Sequence, residues 1–418
     1  MPAVNLLPNE RSKVRALAGT EAARGAGGTP TFQLLGDFRV TETEPLIERE
    51  EYSGTLDPWI TPELGPYDVS GTYSELLSFE SFATQLRYGM NGNGATPVTD
   101  GNGTPGYTNT YDPAASLTDL DSMVVQHGPP GLPEEAKGVM HQQWTVAADT
   151  DDAEGTWKWD SQLFLTTNAP KASAAPGTQT ATGGSTTTVV KSGAGWTPDA
   201  FIGGYVFIRS GPALGDVRPI TDNDATSLTV DPPFSAAVAN TNTFEISAQF
   251  TAGIAVPLYE KIKSAGTKVY IDDGGGTIGT TQLIDKAISW SVTHALDMNP
   301  KRFMEYERGY SAKIGEGWRR VTGQVRIEFD DLLEYEKYRA KTSRLIRFQR
   351  EGSTIDSGAG TKKIARIDIY AGYWNEVTRD QDRNSNLTRV FAFKGYLDTA
   401  VANKVMRVVV KHKMSALP

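Results

Sequence analysis

The chain has 418 residues, 41 basic and 50 acidic side chains, and a formal net charge of −9, which predicts no general affinity for nucleic acid or an anionic membrane. It contains no cysteine, which excludes disulfides, cysteine-ligated zinc, iron–sulfur clusters and a thiol nucleophile. The 42 glycines, 23 prolines and 9% aromatic residues indicate an ordered, loop-rich protein built mainly from strands.

The length predicts two or three domains of ordinary size. The first 25 residues lack the apolar core of a secretory signal, and no apolar run is long enough to span a bilayer. We therefore expect a soluble product, made in a cytoplasm, with no membrane partner.

Two distant segments share a pattern, V-[ST]-G followed by L-L-x-aromatic-E-x-aromatic. The first has Val69-Ser70-Gly71 and then Leu76 to Phe82; the second has Val321-Thr322-Gly323 and then Leu332 to Tyr338. Further matches flank both segments: the runs headed by Pro45 and Pro300 upstream, and downstream the segments 122–126 and 343–347, which lead to tryptophan-ended strands at Trp144 and Trp374. Order and spacing together predict a tandem duplication.

Each copy is predicted to contain strands, one helix and further strands. Residues 320–329 alternate apolar and polar side chains, the period of a half-buried strand. Asp331 then caps a helix, with Glu334 as the return arm of a capping box. In the first copy, a helical stripe is formed by Leu76, Phe79, Ala83 and Leu86.

Strands with period-two patterns follow the helices, at 156–167 in the first copy and at 362–374, 387–397 and 404–413 in the second. Two antiparallel sheets with a helix at the flank are the economical packing for such a unit. The residues from Gly89 to Asp119, dense in Gly, Asn, Thr and Pro, are interpreted as a solvated or weakly ordered excursion.

The stretch 171–247 has a different composition, rich in Ala, Gly, Thr and Ser, with short strands predicted at 186–191, 204–209, 217–221, 227–230 and 243–246. It resembles a small β module often inserted in bacteriophage virion proteins. We expect it to decorate the outside of a scaffold.

No catalytic constellation is found. The run Gly274 to Gly279 matches G-x-G-x-x-G, but the residues after it indicate another strand, so a hairpin turn is predicted in place of a dinucleotide site. The acidic cluster at 149–154 fails the EF-hand register at Ala153 and is interpreted as a surface turn. His141 is interpreted as an ordinary sheet residue. We expect no catalytic, metal-binding or cofactor-binding residues, no cofactor and no enzymatic activity.

A family resemblance rests on several segments taken together: 19–25, the strand 32–40, the acidic segment 45–54, and V-S-G with its helix. These resemble the major tail tube protein of long-tailed bacteriophages, in the form that carries two tube folds per chain. The resemblance covers most of the chain outside 171–247.

The fold class that follows is mainly β. It has two tandem tail-tube-like antiparallel β-sandwich or barrel units, each with a flanking α-helix, plus a small all-β inserted domain. The predicted domains are residues 1–170 (first copy with an N-terminal arm), 171–247 (insert) and 248–418 (second copy).

The resemblance implies a structural subunit of a tail tube that forms stacked rings for DNA ejection. The expected partners are the chain itself, in homotrimeric rings of pseudo-sixfold symmetry or in homohexameric rings, and the tape measure, terminator and distal tail proteins. DNA passes transiently and without specificity. The expected location is the virion tail, after assembly in the host cytoplasm.

An alternative is a distal-tail or adhesin-type carbohydrate-binding virion protein, with Trp196, Tyr205 and Trp318 as stacking platforms. A glycosidase is a more distant alternative that needs paired carboxylates in one cleft.

Charge differs between the two copies in the segment before the helix. Residues 38–69 carry a net −6, and residues 293–322 carry a net +2. If these segments are inter-ring or inter-subunit hairpins, an acidic hairpin that meets a basic one sets register; two solvated hairpins of unrelated charge are the alternative. The candidate hairpin residues are Glu48, Glu50, Glu51, Arg302, Arg308, Lys313, Arg319 and Arg320.

Overall fold

The computed structural model describes residues 15–47, 63–90, 98–99, 106–113, 120–129, 132–173, 175–301, 303–304, 314–315, 317–355, 361–383, 386–399, 404–414 and 417. The structure is mainly β, with 51% strand, antiparallel sheets and two short helices in this described part. The mainly-β prediction is confirmed.

The elements fall into three regions of the chain. The first contains β1 (Arg15–Thr20), β2 (Phe32–Gln33), β3 (Asp37–Thr43), β4 (Leu46–Ile47), β5 (Glu63–Leu64), β6 (Asp68–Leu76), α1 (Phe79–Arg87), β7 (Val98–Thr99), β8 (Tyr107–Tyr111), β9 (Met123–Gly128), β10 (Glu134–Asp149), β11 (Lys158–Phe164) and β12 (Thr167–Pro170). The second contains β13 (Gln179–Thr180), β14 (Gly183–Gly184), β15 (Thr188–Val190), β16 (Tyr205–Ile208), β17 (Val217–Asn223), β18 (Ser227–Val230) and β19 (Thr243–Ile246). The third contains β20 (Lys268–Asp273), β21 (Ala287–Ala295), β22 (Asn299–Pro300), β23 (Ile314–Gly315), β24 (Arg320–Glu328), α2 (Leu333–Ala340), β25 (Arg344–Thr354), β26 (Lys362–Arg383), β27 (Asn386–Gly395) and β28 (Met406–His412).

Helix α1 begins with a capping box made by two serines. The Ser78 hydroxyl accepts from the Ser81 amide at 3.1 Å, and the Ser81 hydroxyl accepts from the Ser78 amide at 3.0 Å. Phe79, Ala83 and Leu86 are buried, as the predicted stripe requires. Leu76 belongs to the end of β6 and not to the helix.

The capping box predicted for α2 is wrong. The Asp331 carboxylate accepts from the Leu333 amide at 3.0 Å, but Leu332 occupies the N-cap position. Glu334 points inward and pairs with the buried Arg344, and it also accepts from Trp374 Nε1 at 2.9 Å. A buried guanidinium is a stronger partner for a carboxylate than a helix-end amide, so Glu334 does not return to the cap.

The excursion predicted at 89–119 is wrong for residues 107–111, which form β8. This strand pairs with β28, the last strand of the chain, with Thr110 opposite Val409. Tyr111 is fully buried, and its hydroxyl donates to the Ala83 carbonyl at 2.7 Å. The sequence Tyr-Thr-Asn-Thr-Tyr has strand-forming residues that the glycine-rich surroundings conceal.

The first and third regions have the same strand pairings. In the first, the order is β1-β9-β10-β11-β6-β3, and β12 also pairs with β10. In the third, the order is β20-β25-β26-β27-β24-β21, and β28 also pairs with β26. In chain order, α1 follows β6 and α2 follows β24, so the helices also occupy equivalent places.

The two regions agree residue by residue around the V-[ST]-G glycines. Gly71 pairs with Leu163, which pairs with His141. Gly323 pairs with Phe393, which pairs with Trp374. A register shift follows both His141 and Trp374, so Trp374 occupies the ladder position of His141 and lies out of register with Trp144.

Close neighbours explain why both positions are glycine. A Cβ on Gly71 would lie 2.8 Å from the Arg39 carbonyl oxygen, and one on Gly323 would clash with the Ser291 carbonyl oxygen. Each contact comes from the neighbouring strand, β3 or β21, at the equivalent place. The tripeptide pattern therefore reflects close strand packing.

The middle region forms a seven-stranded sheet in the order β13-β19-β16-β17-β18-β15-β14. It has its own cluster of buried side chains, including Val206, Ile220, Leu228 and Phe244. The boundaries at residues 170 and 247 stay a prediction.

One continuous core joins the first and third regions. Trp157 contacts Trp290 edge to face, with ring centroids 4.8 Å apart, and Trp290 stacks on Phe348 at 4.3 Å. A buried ion pair adds to this core: Lys363 Nζ of β26 lies 2.6 Å from Glu80 Oε1 of α1, and both side chains are less than 10% exposed. The two regions therefore share apolar packing and a charge pair.

We predict that Lys363→Met lowers the free energy of unfolding by about 3 kcal/mol, because it leaves the Glu80 carboxylate buried without its cation. The double variant Glu80→Leu/Lys363→Met should recover most of that loss. Urea denaturation followed by tryptophan fluorescence measures both. The control is Lys268→Met, whose partly exposed pair with Glu351 contributes less than about 1 kcal/mol. Equal losses for Lys363→Met and Lys268→Met would contradict the prediction.

Candidate assembly surface

Two antiparallel ladders join the first region to the third, one between β8 and β28 and one between β10 and β21. The second half of β10 pairs with β21, from Gln143 opposite Ala295 to Asp149 opposite Ser289. At its centre the hydroxyls of Thr145 and Thr293 lie 2.8 Å apart, within hydrogen-bond distance. We call this β10–β21 ladder the internal joint.

Because of the internal joint, one sheet runs through both regions. Its strand order is β3-β6-β11-β10-β21-β24-β27-β26. Residues directly opposite each other in an antiparallel ladder lie on the same face, so each face can be followed from strand to strand. The two faces differ sharply in character.

The apolar face is covered by the core. Its side chains include Phe38, Tyr73, Trp159, Val146, Val292, Val325 and Phe391, all buried. The polar face carries hydroxyl, amide and charged side chains, all exposed or half-buried: Asp37, Arg39, Thr41, Ser70, Thr72, Ser74, Asp160, Gln162, Gln143, Thr145, Ser291, Thr293, Arg320, Thr322, Gln324, Arg326, Lys394, Glu376 and Thr378.

The charges on the polar face nearly balance, with three acidic and four basic side chains in that set. Over its first strands the face holds a shallow depression of about 470 Å³, lined by residues such as Arg39, Thr72 and Gln162. Mixed charge and many hydroxyls give a hydrated surface with little electrostatic attraction for a polyanion.

Both ends of this sheet have an open edge in the described part of the chain. Among the described strands, β3 pairs only with β6. Strand β26 pairs with β25 and β28 in its first half, but beyond Gly372 its ladder within those same residues is with β27 alone. Unpaired backbone N–H and C=O groups at such edges form a template for another strand.

The structure describes two of the eight candidate hairpin residues. Arg320 begins β24, and its Nη2 lies 2.9 Å from Asp297 Oδ2 in an exposed ion pair. Arg319 precedes it and is half-buried. Glu48, Glu50, Glu51, Arg302, Arg308 and Lys313 lie outside the described residues. The charge pattern did not point to the open edges of β3 and β26. The signal that could have found them is the match between the first and third regions.

The glycine run 274–279 forms turns between β20 and β21. Its amides already have an internal anion, because Asp272 accepts from the amides of Gly279, Thr280 and Thr281 at 2.6 to 3.2 Å. Burial raises the Asp272 pKa, but a hydrogen bond from the Thr280 hydroxyl at 2.6 Å, together with these amide bonds, outweighs it and holds the pKa below its ordinary value. The loop therefore offers no vacant anion cradle.

No group of three or more His, Asp or Glu side chains that could hold a metal occurs among the described residues. Neither described helix is long and apolar enough to cross a membrane. Asp152 and Glu154, in the acidic turn, contact Lys158 Nζ at 3.0 and 3.3 Å.

Two of the three proposed sugar-stacking aromatics are buried. Trp196 is 8% exposed and packs edge to face on Phe201, and Tyr205 is 3% exposed. The expectation that they form stacking platforms is wrong, since Trp196 belongs to the core of the middle region and Tyr205 is buried in a smaller cluster with Phe207 and Val217. Trp318 is 85% exposed.

Comparison with protein-family models finds no match for this chain. No curated protein matches it either.

Two fully buried histidines lie in the sheet beside the internal joint. His141 Nε2 donates to Gln85 Oε1 of α1 at 2.9 Å. His294, on β21, lies against the Trp144 ring, with centroids 5.4 Å apart. Burial lowers the pKa of each to about 3, and the charge of Arg319 adds to the effect on His294.

We predict that acid weakens this fold from pH 7 to pH 5. An unfolded histidine, with a pKa near 6.5, takes up a proton in that range, and a folded one with a lowered pKa does not. The unfolded state therefore binds more protons, and stability falls by about 1.4 kcal/mol per pH unit for each buried histidine well below pH 6.5. His294→Phe should reduce the pH dependence of the urea midpoint relative to the parent chain. An unchanged pH dependence would contradict the assignment.

Proposed function

We propose that this chain is a non-enzymatic structural subunit of a bacteriophage tail tube, with one fold present twice. Chains join head to tail into rings, and the rings stack into a conduit for DNA. The sheet edges, the internal joint and the matched pairings carry the proposal.

The duplication is supported by two independent alignments. The V-[ST]-G pattern matches Gly71 with Gly323 from the sequence alone. The ladders match the same two glycines. Gly71 pairs with Leu163, which pairs with His141, and Gly323 pairs with Phe393, which pairs with Trp374. A register shift follows both His141 and Trp374. A chance similarity in sequence would not be expected to reproduce the same strand register.

The internal joint is the observation that carries assembly. It connects β10 of the first copy to β21 of the second. The equivalents of these strands are β26 and β3, and both have open edges in the described part of the chain. A contact made once within the chain can thus be repeated between chains. A head-to-tail contact of this kind closes into a ring when the rotation permits.

The polar face is proposed to line the conduit. The opposite face is covered by the core, so only the polar face is free to meet a lumen. Its balanced charge and hydroxyl groups suit a duct through which DNA passes without binding tightly.

Two copies per chain favour three chains per ring with pseudo-sixfold symmetry, and a homohexameric ring is the alternative. The proposal includes the virion tail as location, assembly in the host cytoplasm, and contacts with tape measure, terminator and distal tail proteins. The middle region is proposed to point outward, because its separate core makes it an addition to the sheet.

The second candidate, a carbohydrate-binding distal-tail or adhesin protein, has one remaining observation in its favour. Trp318 is an exposed ring that could stack on a sugar. A glycan array with the Trp318→Ala variant as control tests it.

We predict that the purified chain forms rings or stacked tubes, visible by negative-stain electron microscopy. Light scattering should show mass rising with protein concentration, since mass action drives subunit association. The Lys268→Met variant, altered away from both edges, should assemble like the parent. A chain that stays a monodisperse monomer at all concentrations, with no ring in virions, would overturn the proposal.

A further inference from the structure

We propose a residue-level register for the contact between chains, centred on Thr41 of one chain, which lies opposite Thr378 of the next. Strand residues Arg39 to Thr43 of one chain pair antiparallel with Glu376 to Asp380 of its neighbour. The inference rests on the proposed function, in which chains join head to tail, and it names the partner surface as a second copy of this chain.

The first step is the equivalence of β3 and β21. Val40 lies opposite Gly71, and Val292 lies opposite Gly323. Because Gly71 and Gly323 hold the same ladder position, Val40 is equivalent to Val292, and Thr41 to Thr293.

The second step is the equivalence of β10 and β26. Each strand has a register shift against its partner, after His141 in β10 and after Trp374 in β26. Pairing resumes at Gln143 and at Glu376 respectively. Counting on from there, Thr145 is equivalent to Thr378.

The third step transfers the internal joint to the open edges. In the joint Thr145 lies opposite Thr293, so between chains Thr378 lies opposite Thr41. The full set of proposed pairs is Glu376–Thr43, Val377–Glu42, Thr378–Thr41, Arg379–Val40 and Asp380–Arg39. The ladder stops at Asp380, because the register of β26 against β27 shifts again after that residue.

Exposure supports a missing neighbour at these edges. Val292, inside the joint, is fully buried, and its equivalent Val40 is only half-buried. Thr145 and Thr293 are half-buried, and their equivalents Thr41 and Thr378 are exposed. Each open edge thus lacks the cover that its counterpart receives from a paired strand.

Residue chemistry supports the register as well. The threonine pair of the joint recurs, and threonine pairs across strands exchange hydroxyl hydrogen bonds, as Thr145 and Thr293 do at 2.8 Å. With a shift of one residue, the polar face of the sheet in one chain would continue into the apolar face of the sheet in the next chain.

Cysteine cross-linking tests the register directly, because the chain has no native cysteine. Thr41→Cys/Thr378→Cys should form disulfides between chains in assembled material after mild oxidation, since directly opposite residues have the Cβ separation that a disulfide needs. Non-reducing gels should show covalent oligomers that end at the number of chains in a ring.

Two matched variants calibrate the experiment. Thr145→Cys/Thr293→Cys uses the equivalent pair of the joint and should cross-link within one chain. Asp37→Cys/Glu376→Cys uses the same two edges out of register, and should give at least about tenfold less covalent oligomer than Thr41→Cys/Thr378→Cys.

The outcomes separate the register from the proposed function. If the parent chain forms rings, and the joint variant cross-links, but Thr41→Cys/Thr378→Cys yields no more oligomer than the mismatched variant, the register is wrong and the tube proposal stands. If the parent chain forms no assembly at any concentration, both are overturned. Selective cross-linking of Thr41→Cys/Thr378→Cys supports the register.

Discussion

The structure depends on one requirement, that the backbone N–H and C=O groups of a strand find partners on both sides. Strands β10 and β26 are long enough to serve two ladders in succession, one in each half. In β10 both sides of the second half are occupied, by β11 and by β21. In β26 the equivalent half has only β27, within the described residues. Under the proposed function, a chain with one such joint filled and one open has a built-in direction for polymerisation.

Aromatic side chains of the core surround the internal joint. Tryptophans at 144, 157, 159 and 290 pack around the joint, with Trp144 stacked on Trp159 at 5.0 Å. In each of the two regions the residue before the register shift bonds to the flanking helix, His141 to Gln85 and Trp374 to Glu334. The helix therefore holds the strand at the point where it passes from one ladder to the next, although the chemistry of the two contacts differs.

Much of the fold could be predicted from the sequence where one face is buried. The alternation in 320–328 predicted the strand and its inward residues, Val321, Val325 and Ile327, because a period of two is imposed by burial. Strand β8 could not be predicted, since its partner β28 lies some 300 residues away in the chain and its flanks are rich in glycine. The role of Glu334 also depended on the burial of Arg344, 10 residues further along the chain, which no local pattern reveals.

The assembly surface was reached only in part from the sequence. The V-[ST]-G match between the two regions was readable because close packing at Gly71 and Gly323 restricts those positions to glycine. The sequence does not show which strands have open edges. Tertiary contacts determine the ladder partners of a strand, and β3 and β21 have similar local patterns. The candidate hairpin residues were chosen from the net charge of their segments. Net charge carries no information on which strands pair.

The most direct measurement is hydrogen–deuterium exchange of the chain before and after assembly, resolved to peptides. The account predicts that, in the free chain, the amides in 39–43 and 376–380 that do not bond to β6 or β27 exchange quickly, and that they become protected in the assembled form, while the joint at 143–149 and 289–295 is protected in both. Equal, fast exchange at both edges in assembled material, with new protection elsewhere, would contradict it.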